Sequence, residues 1–252
     1  MYQANSDLAQ LLDVTARTLP GIPARVGVSA DDELACGAAG NQARIAALYG
    51  HLQSSFPEAG AHYWTVRTWT LLIWQPIYLS LFGVHLAERA PCLDGMGQTV
   101  CDNMVYGFCL PEHCPRRATQ DGLIDFAAGQ LQQLVERQWQ EFDAVAGIQR
   151  KLARRLQADC VLGALLMIQR QQSLANERLQ QLEGRWLDAL DLRGNSSLIE
   201  VRLDDGRERL VLGRKVCCQH FRRADGQLCS TCPKLKQEER LTRLRQELSL
   251  EC

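Results

Sequence analysis

Eighteen consecutive residues, Trp69 to Leu86, contain no Asp, Glu, Lys or Arg. A helix of that length reaches about 27 Å and has only two stable environments, a protein core or a bilayer. Gln75 and Pro76 interrupt the run, and Arg67 and Glu88 bound it closely. These features favour a buried core helix, with contact at the inner membrane surface as the alternative. A helix apolar all round must be covered on every side, so this segment predicts further helices to pack around it.

Those helices are visible as apolar stripes. Ser6 precedes Leu8, Leu11, Leu12 and Leu19, a capped pattern stopped by Pro20-Gly21-Ile22-Pro23. Residues 41 to 55 and 58 to 86 are helical in pattern, and Pro76 is expected to kink or divide the second. From Thr119 the stripe runs through Leu123, Phe126, Leu131, Leu134, Trp139 and Phe142. It resumes after Gly147 at Ile148, Leu152, Leu156 and Leu166, and a further helix spans Leu174 to Leu192. Between Pro91 and Arg117 the period fails and Gly95, Gly97 and Gly107 punctuate short runs, predicting a small hairpin or irregular loop. Leu198 to Leu203, Asp204-Asp205-Gly206 and Arg209 to Leu212 alternate as a β-hairpin, and Pro233 is placed to open a last helix carrying Leu235, Leu241, Leu244 and Leu248. The fold class is mainly α with a small β component: a helical body over residues 1–196, then hairpin, cysteine loop and closing helix over 197–252.

The hairpin runs directly into Cys217-Cys218, followed by Cys229-Ser230-Thr231-Cys232, a Cys-Cys-x10-Cys-x2-Cys arrangement. Four thiols on so short a chain suit a [2Fe-2S] cluster or a structural Zn2+. Zinc ribbons normally use two spaced pairs, because adjacent side chains diverge from a single tetrahedral ion. Two irons spread the ligand positions and accept a vicinal pair more easily. His220 lies between the thiol pairs as an alternative ligand, which four cysteines make unnecessary.

This spacing resembles that of the FhuF-type ferric-siderophore reductases, whose C-terminal Cys-Cys-x10-Cys-x2-Cys binds a [2Fe-2S] cluster. The resemblance covers residues 217 to 232. It implies that Cys217, Cys218, Cys229 and Cys232 hold such a cluster, and that the activity is one-electron reduction of chelated Fe3+ in the cytoplasm, releasing Fe2+ from a ferric siderophore. A ferredoxin-like carrier and a zinc-stabilised interaction protein are the competing readings. Gly-x-Gly-x-x-Gly and Walker patterns are absent from the sequence, so electrons would come from an external donor such as a ferredoxin or flavin reductase.

Other features bound the function. Lys and Arg (28) nearly balance Asp and Glu (29), so no basic field draws in nucleic acid. Eleven cysteines, an odd number in a long chain, argue against a secreted disulfide scaffold, and Met1 to Asp7 lacks a signal-peptide pattern. A cytoplasmic chain with reduced thiols is expected. Arg214, Lys215, Arg222, Arg223, Lys234 and Lys236 bracket the motif; they are a solvated basic face, or they tune a cluster and dock an anionic partner or substrate, for which Arg222 and Arg223 are the foremost candidates. Trp64, Arg67, Trp74, Tyr78 and His85 recur at helical spacing and form a candidate substrate face, against the alternative of core packing. Cys92, Cys101, Cys109 and Cys114 with His113 form a looser group whose irregular spacing favours buried small hydrophobes over a second metal site; Cys36, Cys160 and Cys252 read as incidental.

Overall fold

A computed structural model describes residues 2–101 and 104–250. Cys252 lies outside the described residues. The long apolar segment is the central helix. Labelled in chain order, α1 is Tyr2–Thr18, α2 Asn41–Ser55, α3 Gly60–Leu86, α4 Gln120–Ala146, α5 Arg150–Gln172, α6 Asn176–Ala189 and α7 Gln237–Leu250. Strands β1 (Ala24–Val26), β2 (Leu34–Ala35), β3 (Gly97–Cys101) and β4 (Met104–Leu110) form one sheet, and β5 (Leu198–Arg202) and β6 (Glu208–Leu212) form the second. The chain is mainly helical with a small β component, as its periodicity requires.

Helix α3 packs against α1, α2, α4 and α5, and most of its apolar length is inside the protein. By length and composition it also suffices to cross a membrane, the ambiguity already present in the sequence. Trp69, Phe82 and Leu72 on α3 join Phe142 of α4 and Leu162 and Leu165 of α5 in one core. The Trp69 and Phe142 rings stack at 6.2 Å. Burial of these large side chains is the main stabilising term, each contributing about 1.5–3 kcal/mol.

Pro76 does not divide α3: one helix runs from Gly60 to Leu86. A proline has no N–H for the carbonyl four residues earlier, here that of Leu72. Buried Gln138 of α4 supplies the missing donor, its Nε2 lying 3.1 Å from the Leu72 oxygen. Further on, α4 opens at Thr119, whose hydroxyl accepts from the Gly122 N–H at 3.4 Å, and ends at Gly147, which takes φ 62.

Several boundaries differ from those the sequence suggests. Helix α1 already begins at Tyr2, ahead of Ser6, and ends at Thr18, just before Pro20, with Leu8, Leu11 and Leu12 as its buried stripe. The stretch from Pro91 to Arg117 holds the hairpin β3–β4, which recruits β1 in parallel (Ala24↔Phe108) and β2 antiparallel (Leu34↔Gln98). Helix α7 starts at Gln237, not at Pro233: Leu235 is spent in packing beneath Cys217 and Cys232.

The C-terminal hairpin is two-faced, as strand alternation demands. Leu210 and Leu212 of β6 enter the core of the helical body, while Val211 turns outward with Val201 and Leu203 to bury Leu244 of α7. The hairpin thereby fastens the cysteine loop to the body on one side and to α7 on the other.

The Gln138 bond gives the first prediction. Gln138→Leu should lower unfolding free energy in urea by about 1–2 kcal/mol through the orphaned Leu72 carbonyl. In a Pro76→Ala background, which restores the backbone donor, the same substitution should cost less; additive losses would show that Gln138 does not serve that carbonyl.

Candidate metal centre and adjoining cavity

Strand β6 delivers Arg214 and the Cys217-Cys218 pair to the edge of the body. Gln219 then adopts φ 61, and a short turn, His220–Arg222, reverses the chain. Gly226 closes this turn so tightly that a Cβ there would collide with the His220 carbonyl. Cys229 and Cys232 follow on a second turn, fixed by the Cys232 N–H donating to the Cys229 carbonyl at 3.0 Å. Two braces hold the loop against the start of α3: the Ala224 N–H donates to Glu58 Oε1 at 3.0 Å, and the Arg223 guanidinium lies 4.1 Å from the Phe56 ring centre. From α7, Arg243 donates to the Leu228 carbonyl at 2.9 Å.

The four cysteines of the motif lie in this loop as two pairs. Cys217 and Cys232 are buried with their sulfurs 3.7 Å apart. Cys218 and Cys229 are half-buried and hydrogen-bonded to each other. Among the described residues, no three His, Cys, Asp or Glu side chains converge tightly enough to hold one ion.

Donors surround the sulfurs. The Gln219 N–H points at Cys217 Sγ from 3.4 Å, and Thr231 Oγ1 is 3.6 Å from Cys229 Sγ. The Cys218 thiol is pushed down to about 5, chiefly by the hydrogen bond from Cys229, then by the His220 N–H and the Arg214 charge. Burial pushes Cys217 up to about 11. Metal ligands must be thiolates, and once Cys229 also ligates, the His220 N–H and the Arg214 charge are what remain to favour Cys218 in that form.

Cys218 also forms part of the wall of a cavity of about 470 Å³ between α3 and α5. Arg67, Trp74 and Tyr78 line it from α3, Asp159 from α5, and Arg214 from the strand leading to the thiols. The Trp74 and Tyr78 rings meet edge-on at 5.8 Å. Arg67 has no carboxylate partner among the described residues; its Nη2 rests on the Met104 sulfur at 2.7 Å, and desolvation lowers its pKa. Asp159 is buried, and desolvation pushes it up to about 6.

The candidate face on α3 is therefore split. Arg67, Trp74 and Tyr78 reach the cavity. Trp64 does not: its indole donates to the Phe56 carbonyl at 2.8 Å, clasping the α2–α3 junction. His85 shares the helical phase of Arg67 but lies roughly 27 Å further along at 1.5 Å per residue. There it is buried, accepting from Trp186 Nε1 at 2.8 Å, and burial pushes it down to about 4. The stripe that aligns these residues in sequence runs for nearly six turns, but only the length covered by α5 and the cysteine loop is cavity. Tyr63 and Thr70, which share the stripe, and Asp159 were not legible as site residues. Asp159 carried one signal, a carboxylate inside the wholly buried run Leu156 to Leu162.

The flanking arginines also differ. Arg223 is neutralised by Asp225 at 2.6 Å, whereas Arg222 donates to neutral Gln219 at 3.0 Å, lies near the Phe221 ring and has no carboxylate partner among the described residues. The second cysteine group does not assemble. Cys109 donates to buried Glu33 at 3.3 Å, the Cys92 N–H donates to His113 Nε2 at 2.9 Å, and Cys101 and Cys114 are exposed. Cys36 is half-buried against the Leu134 carbonyl, and Cys160 is buried in the cavity wall.

A helical body presenting four thiols on a braced loop defines a candidate thiolate-ligated metalloprotein. Comparison with known families agrees: residues 214–234 match the family model described as the FhuF 2Fe-2S C-terminal domain, so this segment carries a domain of that type, in keeping with the FhuF-family resemblance of the motif. The match implies a 2Fe-2S site here and suggests oxidoreductase activity. No solved structure matches the chain.

The burial of His85 gives a signed pH prediction. A base whose folded pKa is depressed contributes stability above its unfolded value near 6.5, and that contribution is lost as pH falls toward 4. Between pH 7 and 4.5 the wild type should lose on the order of 2–3 kcal/mol through this group, and His85→Gln should lack that component. Urea titrations followed by helical circular dichroism test it; parallel losses in both proteins would contradict it.

Proposed function

We propose that this protein is a cytoplasmic reductase of siderophore-bound Fe3+. Cys217, Cys218, Cys229 and Cys232 would hold a [2Fe-2S] cluster, and the cavity beside Cys218 would receive the ferric chelate. The observation that carries this reading is that Cys218 belongs both to the thiol group and to the cavity wall. An electron carrier needs no cavity against its redox centre, and a zinc-stabilised interaction protein needs none either.

The thiols suit the cluster. Two thiolates each about 2.3 Å from one tetrahedral ion are about 3.8 Å apart, close to the 3.7 Å between Cys217 and Cys232. Arrangement as two pairs supports two metal centres better than a single zinc ion. Bound there, the cluster would supply one-electron transfer at a potential set by burial, charge and hydrogen bonds to sulfur.

The remaining work falls to the chain's own side chains. Arg67, which has no carboxylate partner among the described residues, attracts the anionic oxygens of a chelate, and the Trp74 and Tyr78 rings give it an apolar wall. Arg214 balances the charge of Cys218. Reduction releases iron because Fe2+ is less charged, softer and near the weak end of the divalent affinity series, whereas anionic oxygen donors hold Fe3+ strongly. Electrons come from an external protein, for which Arg222 offers an uncompensated charge at the loop surface.

Two tests follow. Titrated with a redox-inert Ga3+ chelate, the metal-loaded Arg67→Ala protein should bind about tenfold more weakly with an unchanged visible spectrum; unchanged affinity with a lowered melting temperature would make Arg67 a packing residue only. With an acidic ferredoxin as donor, Arg222→Ala should flatten the fall in turnover as salt rises, whereas the charge-neutral double substitution Arg223→Gln with Asp225→Asn should leave it unchanged. Equal effects of the two variants would contradict docking through Arg222.

A further inference from the structure

Three of the eight buried side-chain polar atoms that find no hydrogen-bond partner among the described residues belong to residues lining the cavity beside Cys218: Trp74 Nε1, Arg214 Nε and Asp159 Oδ2. Leaving such a group unmet costs about 1–3 kcal/mol, so three around one cavity point to a ligand that meets them. Two are donors and one is an acceptor.

Asp159 is the informative member. Its side chain is 6 % exposed, and Ser196 fixes its orientation by donating to Oδ1 at 2.6 Å. Arg214 Nε stands 3.8 Å from Oδ2, near enough to balance charge but too far for a hydrogen bond. Oδ2 is thus held rigidly, compensated electrostatically and still in need of a donor. A purely anionic, acceptor-only ligand would satisfy Trp74 and Arg214 and leave Asp159 facing like charge. A group that both accepts and donates, such as a secondary amide or a hydroxyl, satisfies all three.

We infer that Asp159 is a specificity-determining residue of the cavity, its Oδ2 accepting a hydrogen bond from an N–H or O–H on the chelator's backbone. The inference rests on the reading of the cavity as the chelate site. It assigns the chelator a donor in its backbone, separate from the oxygens that hold the metal.

A paired set of ligands tests this without dependence on turnover. The probes are the Ga3+ complexes of a tris-hydroxamate joined by secondary amides and of its twin with those amides N-methylated, titrated calorimetrically into metal-loaded protein. Methylation deletes only the donor, so it should weaken binding to the wild type by about tenfold. Asp159→Asn is nearly isosteric, and with its oxygen kept toward Ser196 it presents an N–H2 where Oδ2 stood. Methylation should then cost nothing in the variant. A methylation penalty of equal size in both proteins, or none in the wild type while both probes bind, would overturn the role of Asp159 and leave the cavity reading intact. Failure of both probes to bind the wild type would overturn the cavity reading and this inference together.

Discussion

The whole architecture answers to one constraint, the need to cover a helix that has no polar face. Helix α3 is apolar through most of its length, and α1, α2, α4 and α5 enclose it. The cavity opens where that enclosure is incomplete, between α3 and α5, and the cysteine loop supplies the missing wall with Cys218, Arg214 and His220. Core packing and the proposed redox site are therefore not separate parts of the molecule. The same helix whose burial stabilises the fold presents Arg67, Trp74 and Tyr78 to the thiols.

Holding thiolates together is the opposing cost. Four thiolates on so short a loop would repel one another, and the Gln219 and His220 N–H groups and the Arg214 guanidinium stand where they would offset that repulsion, on a short path between two strong anchors. Leu210 and Leu212 pin its incoming strand to the body, and Leu244 pins the hairpin to α7. The buried pair, Cys217 and Cys232, rests on Leu235 with half-buried Cys229 packed beside it, while Cys218 lines the cavity.

Much of this was legible in the residues. The stripes from Leu123 to Phe142 and from Ile148 to Leu166 became α4 and α5, and the alternation from Leu198 to Leu212 became β5 and β6. Periodicity reports burial, so it succeeds wherever one face of an element is covered. It fails for β1 and β2, which are three and two residues long and exist only because β4 and β3 offer them edges. It fails at Pro76, where the donor that keeps α3 whole comes from Gln138 on another helix. The site divides in the same way. The four motif cysteines lie in one loop as two pairs, without three side chains converging on one ion among the described residues, and a helical phase could not separate Arg67, in the cavity wall, from His85, which α6 covers through Trp186. Asp159 and Ser196 meet across long sequence separation, and local pattern holds no trace of that contact.

The central claim is that electrons pass from the thiol-held centre to ferric iron in the adjoining cavity. Its most direct test is a rapid-mixing experiment in which purified protein, reduced by one equivalent without excess reductant, meets a ferric siderophore while its visible absorption and a ferrous-iron indicator are followed together. The account predicts an iron-sulfur spectrum that returns from its bleached to its oxidised form with one Fe2+ appearing per electron. A colourless, zinc-containing protein, or a reduced chromophore that persists in the presence of the chelate, would contradict it.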